Sequence, residues 1–181
     1  MHVSVDGLAA TSDRQLNWVN LDEGVFDYAD DQTDNADTAL YGRITYELMD
    51  SYWPNAADEP GATKHDIHHS AWYNNVEKVV LSRTMKDPQK KNTRFIGENV
   101  PAEIQKLKEK SGKNIIMFGS PGTVRSLLPD NLIDELWLFI NPVILGKGIP
   151  YLQDVKTRTK LELVSSKTFP SGLICACYVT K

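Results

Sequence analysis

With 181 residues, 41% of them hydrophobic, the chain is long enough for one domain with its own core, taken as residues 1–181, and too short to expect two. A net charge of −4 with scattered lysines and arginines provides no basic stripe for neutralising a phosphate backbone, which excludes nucleic acid as the expected partner. No apolar run approaches the roughly 20 residues needed to cross a bilayer, and "MHVSVDGLAA" lacks the charged and apolar regions of a signal peptide, so no membrane association and a cytoplasmic location are expected.

In chain order, Val25, Phe26 and Ala29 stand at helical spacing within 22–33, and the apolar run 36–41 reads as a strand. A helix follows from Arg43 to about Tyr52, and "PNAADEPGATKHD" reads as a surface loop of the kind that carries function. A short helix around Ser70–Asn75 leads into the strand "KVVLS", then comes a short strand at 93–96. Asn99 and Pro101 mark the start of a helix that Gly112 should end, and "NIIMF" is the next strand, running straight into "GSPGTVRSLL". The last third differs in kind: "IDELWLFINPVIL" is a long apolar strand broken by Pro142, read as the central buried strand, with a dimer interface as the other reading. "KLELVSSKTF" and "LICACYVT" form two strands joined by the hairpin signal "PSG". Parallel crossovers early and an antiparallel hairpin late predict an α/β fold built on a mixed sheet with helices on its faces. Cys175 and Cys177, two apart on one strand, would share a face and are read as buried reduced thiols.

Ligands in such sheets sit where strands open into helices, and two junctions suit an anion. At "LYGRITYE", Gly42 permits close approach, Arg43 supplies a fixed charge and a bidentate fork, and Thr45 can cap the helix or contact a phosphate. At "MFGSPGTVRSLL", Gly119 and Gly122 let a ligand approach the backbone, with Ser120 and Thr123 as further donors. Each junction alone is common turn chemistry; together they suggest a dinucleotide. Ser82, Arg83 and Thr84 end a third strand and suit the extra phosphate of NADPH. The GxGxxG fingerprint is absent, so an ordinary Rossmann reading does not fit.

In "KHDIHHS", His65, His68 and His69 have helical spacing with Asp66 among them, yet no cysteine or second histidine cluster is present to complete a zinc site, so no metal is expected. Trp72 and Tyr73 pack or contact substrate, and Gly146 and Gly148 allow a tight turn in a loop that gates access.

The motifs "SVDG", "LYGRITYE", "VVLSRT", "FGSPGTVRSLL" and "LIDELWLFINPVILGKGIPYL", in this order, resemble the dihydrofolate reductase-like superfamily, and within it the group related to the C-terminal reductase domain of the bifunctional riboflavin-biosynthesis deaminase-reductase. The resemblance implies a mixed sheet of about eight strands ending in an antiparallel hairpin. It implies NADPH as cofactor, held through its phosphates by Gly42, Arg43 and Thr45, at its adenosine end by Ser82 and Arg83, and at its pyrophosphate by Gly119, Ser120, Gly122 and Thr123. It also implies a reductase of a pterin- or aminopyrimidine-like small molecule, acting on CH–NH or C=N bonds, and a homodimer. By similarity Asp6 would lie near the nicotinamide, its other reading being a turn residue before Gly7. Trp18, Asp22 and Glu23 fall in the region that binds the pterin in dihydrofolate reductases, although acidic residues also suit the start of a helix. The Asp-Asp-Pro loop of relatives dedicated to riboflavin synthesis is absent, so the resemblance implies the cofactor more than the phosphoribosyl substrate. A non-catalytic NADP-binding protein on the same scaffold is the alternative.

Overall fold

The computed structural model describes residues 1–87, 89–156 and 158–181. Its elements are β1 (His2–Ser4), β2 (Leu8–Thr11), α1 (Glu23–Asp34), β3 (Ala36–Gly42), α2 (Arg43–Tyr52), α3 (Lys64–Asn75), β4 (Glu77–Leu81), β5 (Thr93–Ile96), α4 (Val100–Lys108), β6 (Asn114–Met117), α5 (Pro121–Leu127), β7 (Glu135–Asn141), β8 (Gly148–Pro150), β9 (Leu161–Thr168) and β10 (Ile174–Thr180), with 3₁₀ turns at Trp53–Asp58 and Leu128–Asp130. The chain divides into two compact units, Val25–Ser120 and Met1–Gly24 with Pro121–Lys181.

In the unit Val25–Ser120 the strands run in the order β5-β4-β3-β6, every neighbouring pair parallel. Parallel strands covered on both faces read as continuous apolar runs. In β3 only Asp37 is exposed. Tyr41 joins Ala39, Tyr46, Tyr73, Val76 and Val80 in a core whose rings meet at tilted angles. The exposed Asp37 anchors the segment that leads into β6: its Oδ2 accepts the Lys113 N–H at 2.7 Å, and a Cβ on Gly112 would come within 2.6 Å of it. Gly112 therefore admits this contact and does not end α4, which closes at Lys108 with Glu109 as its C-cap.

The second correction concerns α3, which begins at Lys64 and not near Ser70. Thr63 and Asp66 form a reciprocal capping box: the Asp66 N–H donates to Thr63 Oγ1 at 3.1 Å and the Thr63 N–H to Asp66 Oδ2 at 2.8 Å. Two orphan donors of the first turn are thereby satisfied inside the stretch that its proline and glycine content marks as loop.

The other unit contains the sheet β1-β7-β10-β9, with β1 parallel to β7 and the remaining pairs antiparallel, and a separate pair β2-β8. The fold is thus the expected α/β mixture, with ten short strands in three hydrogen-bonded sheets among the described residues, where about eight strands in a mixed sheet were expected. β7 is central, as predicted, and ends at Asn141 because Pro142 has no N–H for the ladder. Asn141 is fully buried and satisfied: its Nδ2 donates to the carbonyls of Phe139 and Val3, and its Oδ1 accepts the Asn20 N–H. β9 and β10 form the predicted hairpin, closed by the Phe169 N–H on the Leu173 carbonyl at 2.9 Å. Cys175 and Cys177 are buried free thiols, and burial pushes both up to about 11, away from the thiolate that would react. Among the described residues no helix is long and apolar enough to cross a membrane.

Candidate functional site

The parallel register pairs Gly42 with Leu81 and Leu40 with Met117, so β3 and β4 end level, β6 ends two residues earlier, and the loops after all three open on one edge of the sheet. This edge carries Gly42, Arg43 and Thr45 after β3, Ser82, Arg83 and Thr84 after β4, and Gly119 and Ser120 after β6. Two of the loops touch: the Gly42 N–H donates to the buried Ser120 Oγ at 3.1 Å. Gly42 is the N-cap of α2 with φ −80°, so the glycine serves by lacking a side chain and not through a left-handed turn. No side chain among the described residues caps α2, which leaves first-turn N–H groups directed at the edge. Gly119 and Ser120 are both left-handed, at φ 63° and 61°. A non-glycine residue there costs about 1–2 kcal/mol, a strain typical of ligand-binding turns.

Ser82 is held from both sides. Its N–H donates to the Ile96 carbonyl, and its Oγ accepts the Met85 N–H at 2.9 Å and the Thr84 N–H at 3.3 Å. Gly97 makes this possible, since a Cβ there would stand 2.9 Å from the Ser82 carbonyl oxygen. Sequence reading passed over Gly97, although a glycine directly after a short strand was the signal. Arg83 and Thr84 are exposed.

Arg43 has a competitor. Its Nη1 donates to both carboxylate oxygens of Glu47, at 2.8 and 2.9 Å, one helical turn along α2. The pair is half exposed, so an anion at the edge must draw the fork from a weakly held partner. A groove of about 270 Å³ lies among Tyr46, Glu47, Asp50, Met85, Asp87 and Lys90. Its only ammonium among these is tied to Asp50 at 2.6 Å, and the carboxylates around it disfavour a phosphate.

The remaining predicted residues belong to the other unit, except Trp72. Asp6 accepts the Leu145 N–H at 3.1 Å and the Gly146 N–H at 2.8 Å. These bonds, after a larger contribution from the Ser4 hydroxyl, hold its carboxyl below the ordinary range. Gly7 follows at φ 78°, so Asp6 does occupy a turn, and it clamps the 145–146 loop. Trp18 donates its indole N–H to the Gln15 carbonyl, and Asp22 accepts the Ser171 N–H at 3.3 Å. Glu23 is exposed at the first position of α1. On α5, Thr123 is buried and Gly122 is exposed, with no described atom within 4 Å of a built Cβ. Trp72 of α3 donates to the Ala36 carbonyl and packs on His69 and Phe118, a core placement.

Comparison with known proteins agrees with this architecture. The uncharacterized protein YyaP of Bacillus subtilis (strain 168) is 32% identical over 180 residues, covering 97% of this chain and 90% of that protein. The diaminohydroxyphosphoribosylaminopyrimidine deaminase/5-amino-6-(5-phosphoribosylamino)uracil reductase of Thermotoga maritima superposes with a TM-score of 0.68 at 15% identity, over 99% of this chain and 55% of that one. Dihydrofolate reductase from Enterococcus faecalis, complexed with NADP(H) and RAB-propyl, superposes at 0.63 and 14% identity, over 99% and 93%. At such identity these two structures speak to the fold alone. The family model for the RibD C-terminal domain matches residues 1–175, and the chain belongs to that family.

Proposed function

We propose that the protein is an NADPH-dependent reductase of a small pterin- or aminopyrimidine-like heterocycle. The observation that carries the reading is the sheet edge where the Gly42 N–H meets Ser120 Oγ, with an uncapped helix start, Arg43, Ser82 and Arg83 on the same edge. The donor set suits a phosphorylated dinucleotide: main-chain N–H groups and hydroxyls for the pyrophosphate, guanidinium groups for fixed negative charge. NADPH, when bound, supplies the hydride. Ser82 and Ser120 orient the phosphates through hydroxyls whose loops are already fixed, and Arg43 leaves Glu47 to pair with one of them. In the other unit, the resemblance implies Gly122 and Thr123 for the cofactor and Trp18, Asp22 and Glu23 as the candidates for substrate.

The family and the dihydrofolate reductase-like fold support this reading. The homodimer is part of it: β9 is an edge strand exposed along its length, Leu163 and Val164 at 53% and 62%, and light scattering tests the pairing. One observation favours the second reading, a non-catalytic NADP-binding protein. Asp6 is held ionised by the loop it clamps, which makes it a poor proton donor. The test is titration with NADPH and NADH followed by NADPH oxidation in the presence of pterins and aminopyrimidines. Tight NADPH binding with turnover supports the reductase, tight binding without turnover supports the second reading, and no binding of either nucleotide refutes both.

A further inference from the structure

The early start of α3 changes what its histidines can do. With Lys64 as the first helical residue, His65 and His69 lie four apart on one face, the spacing that lets two imidazoles converge on one ion. Asp66 beside them is committed to the Thr63 capping box, but the fold brings another carboxylate. Asp30 of α1, 35 residues away, places its Oδ1 2.8 Å from His65 Nδ1. One ligand atom from each of Asp30, His65 and His69 lies within 4.8 Å of the others. Zinc bonds of about 2.0–2.2 Å put tetrahedral ligands about 3.3–3.6 Å apart, so the widest separation must close by no more than about 1.5 Å, while the hydrogen-bonded Asp30–His65 pair at 2.8 Å must part to admit the ion.

His69 is the second observation. It is 4% exposed, and neither ring nitrogen has a hydrogen-bond partner among the described residues. An unsatisfied buried polar atom costs about 1–3 kcal/mol, and native structures rarely carry one without a reason. Trp53, Trp72 and Phe118 surround His69 with ring centroids at 4.0, 5.1 and 5.5 Å. Phe26 stacks on His65 at 4.3 Å, and the His65 and Asp30 side chains are only 11% and 13% exposed. Such an apolar shell keeps water from competing and strengthens a charge held inside it.

We infer that Asp30, His65 and His69 bind one divalent transition-metal ion of the zinc type. Two imidazoles and one carboxylate suit zinc, cobalt or nickel over calcium and magnesium, which prefer oxygen alone. Three protein ligands leave a position for water or a small ligand. His68 stands beside the site: its Nε2 is hydrogen-bonded to Asp34 at 3.0 Å, while its Nδ1, 3.3 Å from the Asp30 oxygen, makes no hydrogen bond among the described residues. The inference is independent of the reductase reading.

The experiment uses full-length protein without a histidine tag, stripped with a chelator and titrated with zinc chloride by calorimetry, and with cobalt chloride by visible absorption. One ion per chain at micromolar affinity or tighter is expected, with cobalt d–d bands and a rise in melting temperature. Asp30→Asn and His65→Gln should each weaken zinc binding at least 30-fold, while His2→Gln leaves it unchanged. These two variants carry the test if His69→Gln, set among aromatic rings, does not fold. Absence of saturable zinc and cobalt binding by the wild type overturns the inference. So does binding that survives Asp30→Asn and His65→Gln unaltered, or that is lost in His68→Gln but kept in His65→Gln.

Discussion

Replacing Arg43 with alanine separates a cofactor contact from a helix-surface ion pair. In the structure one guanidinium nitrogen, Nη1, donates to both carboxylate oxygens of Glu47, with the two side chains 45% and 44% exposed. An exposed pair at this spacing contributes about 0.3–0.5 kcal/mol, which for a domain of this size lowers the melting temperature by about 1–2 °C. A charged hydrogen bond to a phosphate contributes about 1.5–3 kcal/mol, equal to a loss of about 10- to 150-fold in NADPH affinity. Half exposure places the expected loss toward the lower end. The two effects differ enough to be read separately, the first by thermal melting and the second by fluorescence titration. Glu47→Gln works in the opposite direction: it frees the fork and removes a negative charge beside the phosphate, so NADPH should bind about two- to fourfold more tightly. If Arg43→Ala leaves the NADPH dissociation constant unchanged, the arginine serves only its own helix, and the assignment of this edge to the cofactor's phosphates is refuted.

Ser120→Ala removes the acceptor of the Gly42 N–H and should destabilise the fold by about 1–2 kcal/mol in urea unfolding; an unchanged midpoint would mean that water replaces the hydroxyl at no cost. Gly122→Ala and Gly148→Ala should part company. A Cβ on Gly122 meets no described atom within 4 Å, whereas one on Gly148 would collide with the Ala10 carbonyl oxygen. Gly148→Ala should therefore cost about 1–3 kcal/mol or more as β2 and β8 separate, and Gly122→Ala should leave the melting temperature in place while weakening NADPH. Asp6 supplies the pH prediction. Its carboxyl is lowered first by the Ser4 hydroxyl and then by the Leu145 and Gly146 N–H groups, so its stabilisation is present above the unfolded value of about 3.9 and is lost as pH falls through the lower folded value. The wild-type advantage over Asp6→Asn in denaturant should be full at pH 6 and shrink below about pH 4; an advantage that persists unchanged at about pH 2 would refute the clamp.

Local pattern determined much of this protein. The switch from continuous apolar residues at 36–41 to helical spacing after Arg43 marked the β3–α2 junction to within a residue, because both periodicities belong to the backbone and need no distant partner. The β9–β10 hairpin and the end of β7 at Pro142 were legible for the same reason. The start of α3 was not, since a capping box outweighed the proline and glycine that precede it. Gly112 looked like a helix terminator and is instead the space that Asp37 needs, a contact across 75 residues. The glycines, serines and arginines of the candidate edge were found one strand at a time; that Gly42 meets Ser120 and that the loops after β3, β4 and β6 share one edge was decided by parallel pairing in register. Arg43 was visible as a charge, but its capture by Glu47 depends on a rotamer. Asp30 against His65 is the extreme case. No periodicity relates residues 35 apart, and only the packing of α1 against α3 brings a carboxylate to an imidazole and leaves His69 buried with both nitrogens unsatisfied among the described residues.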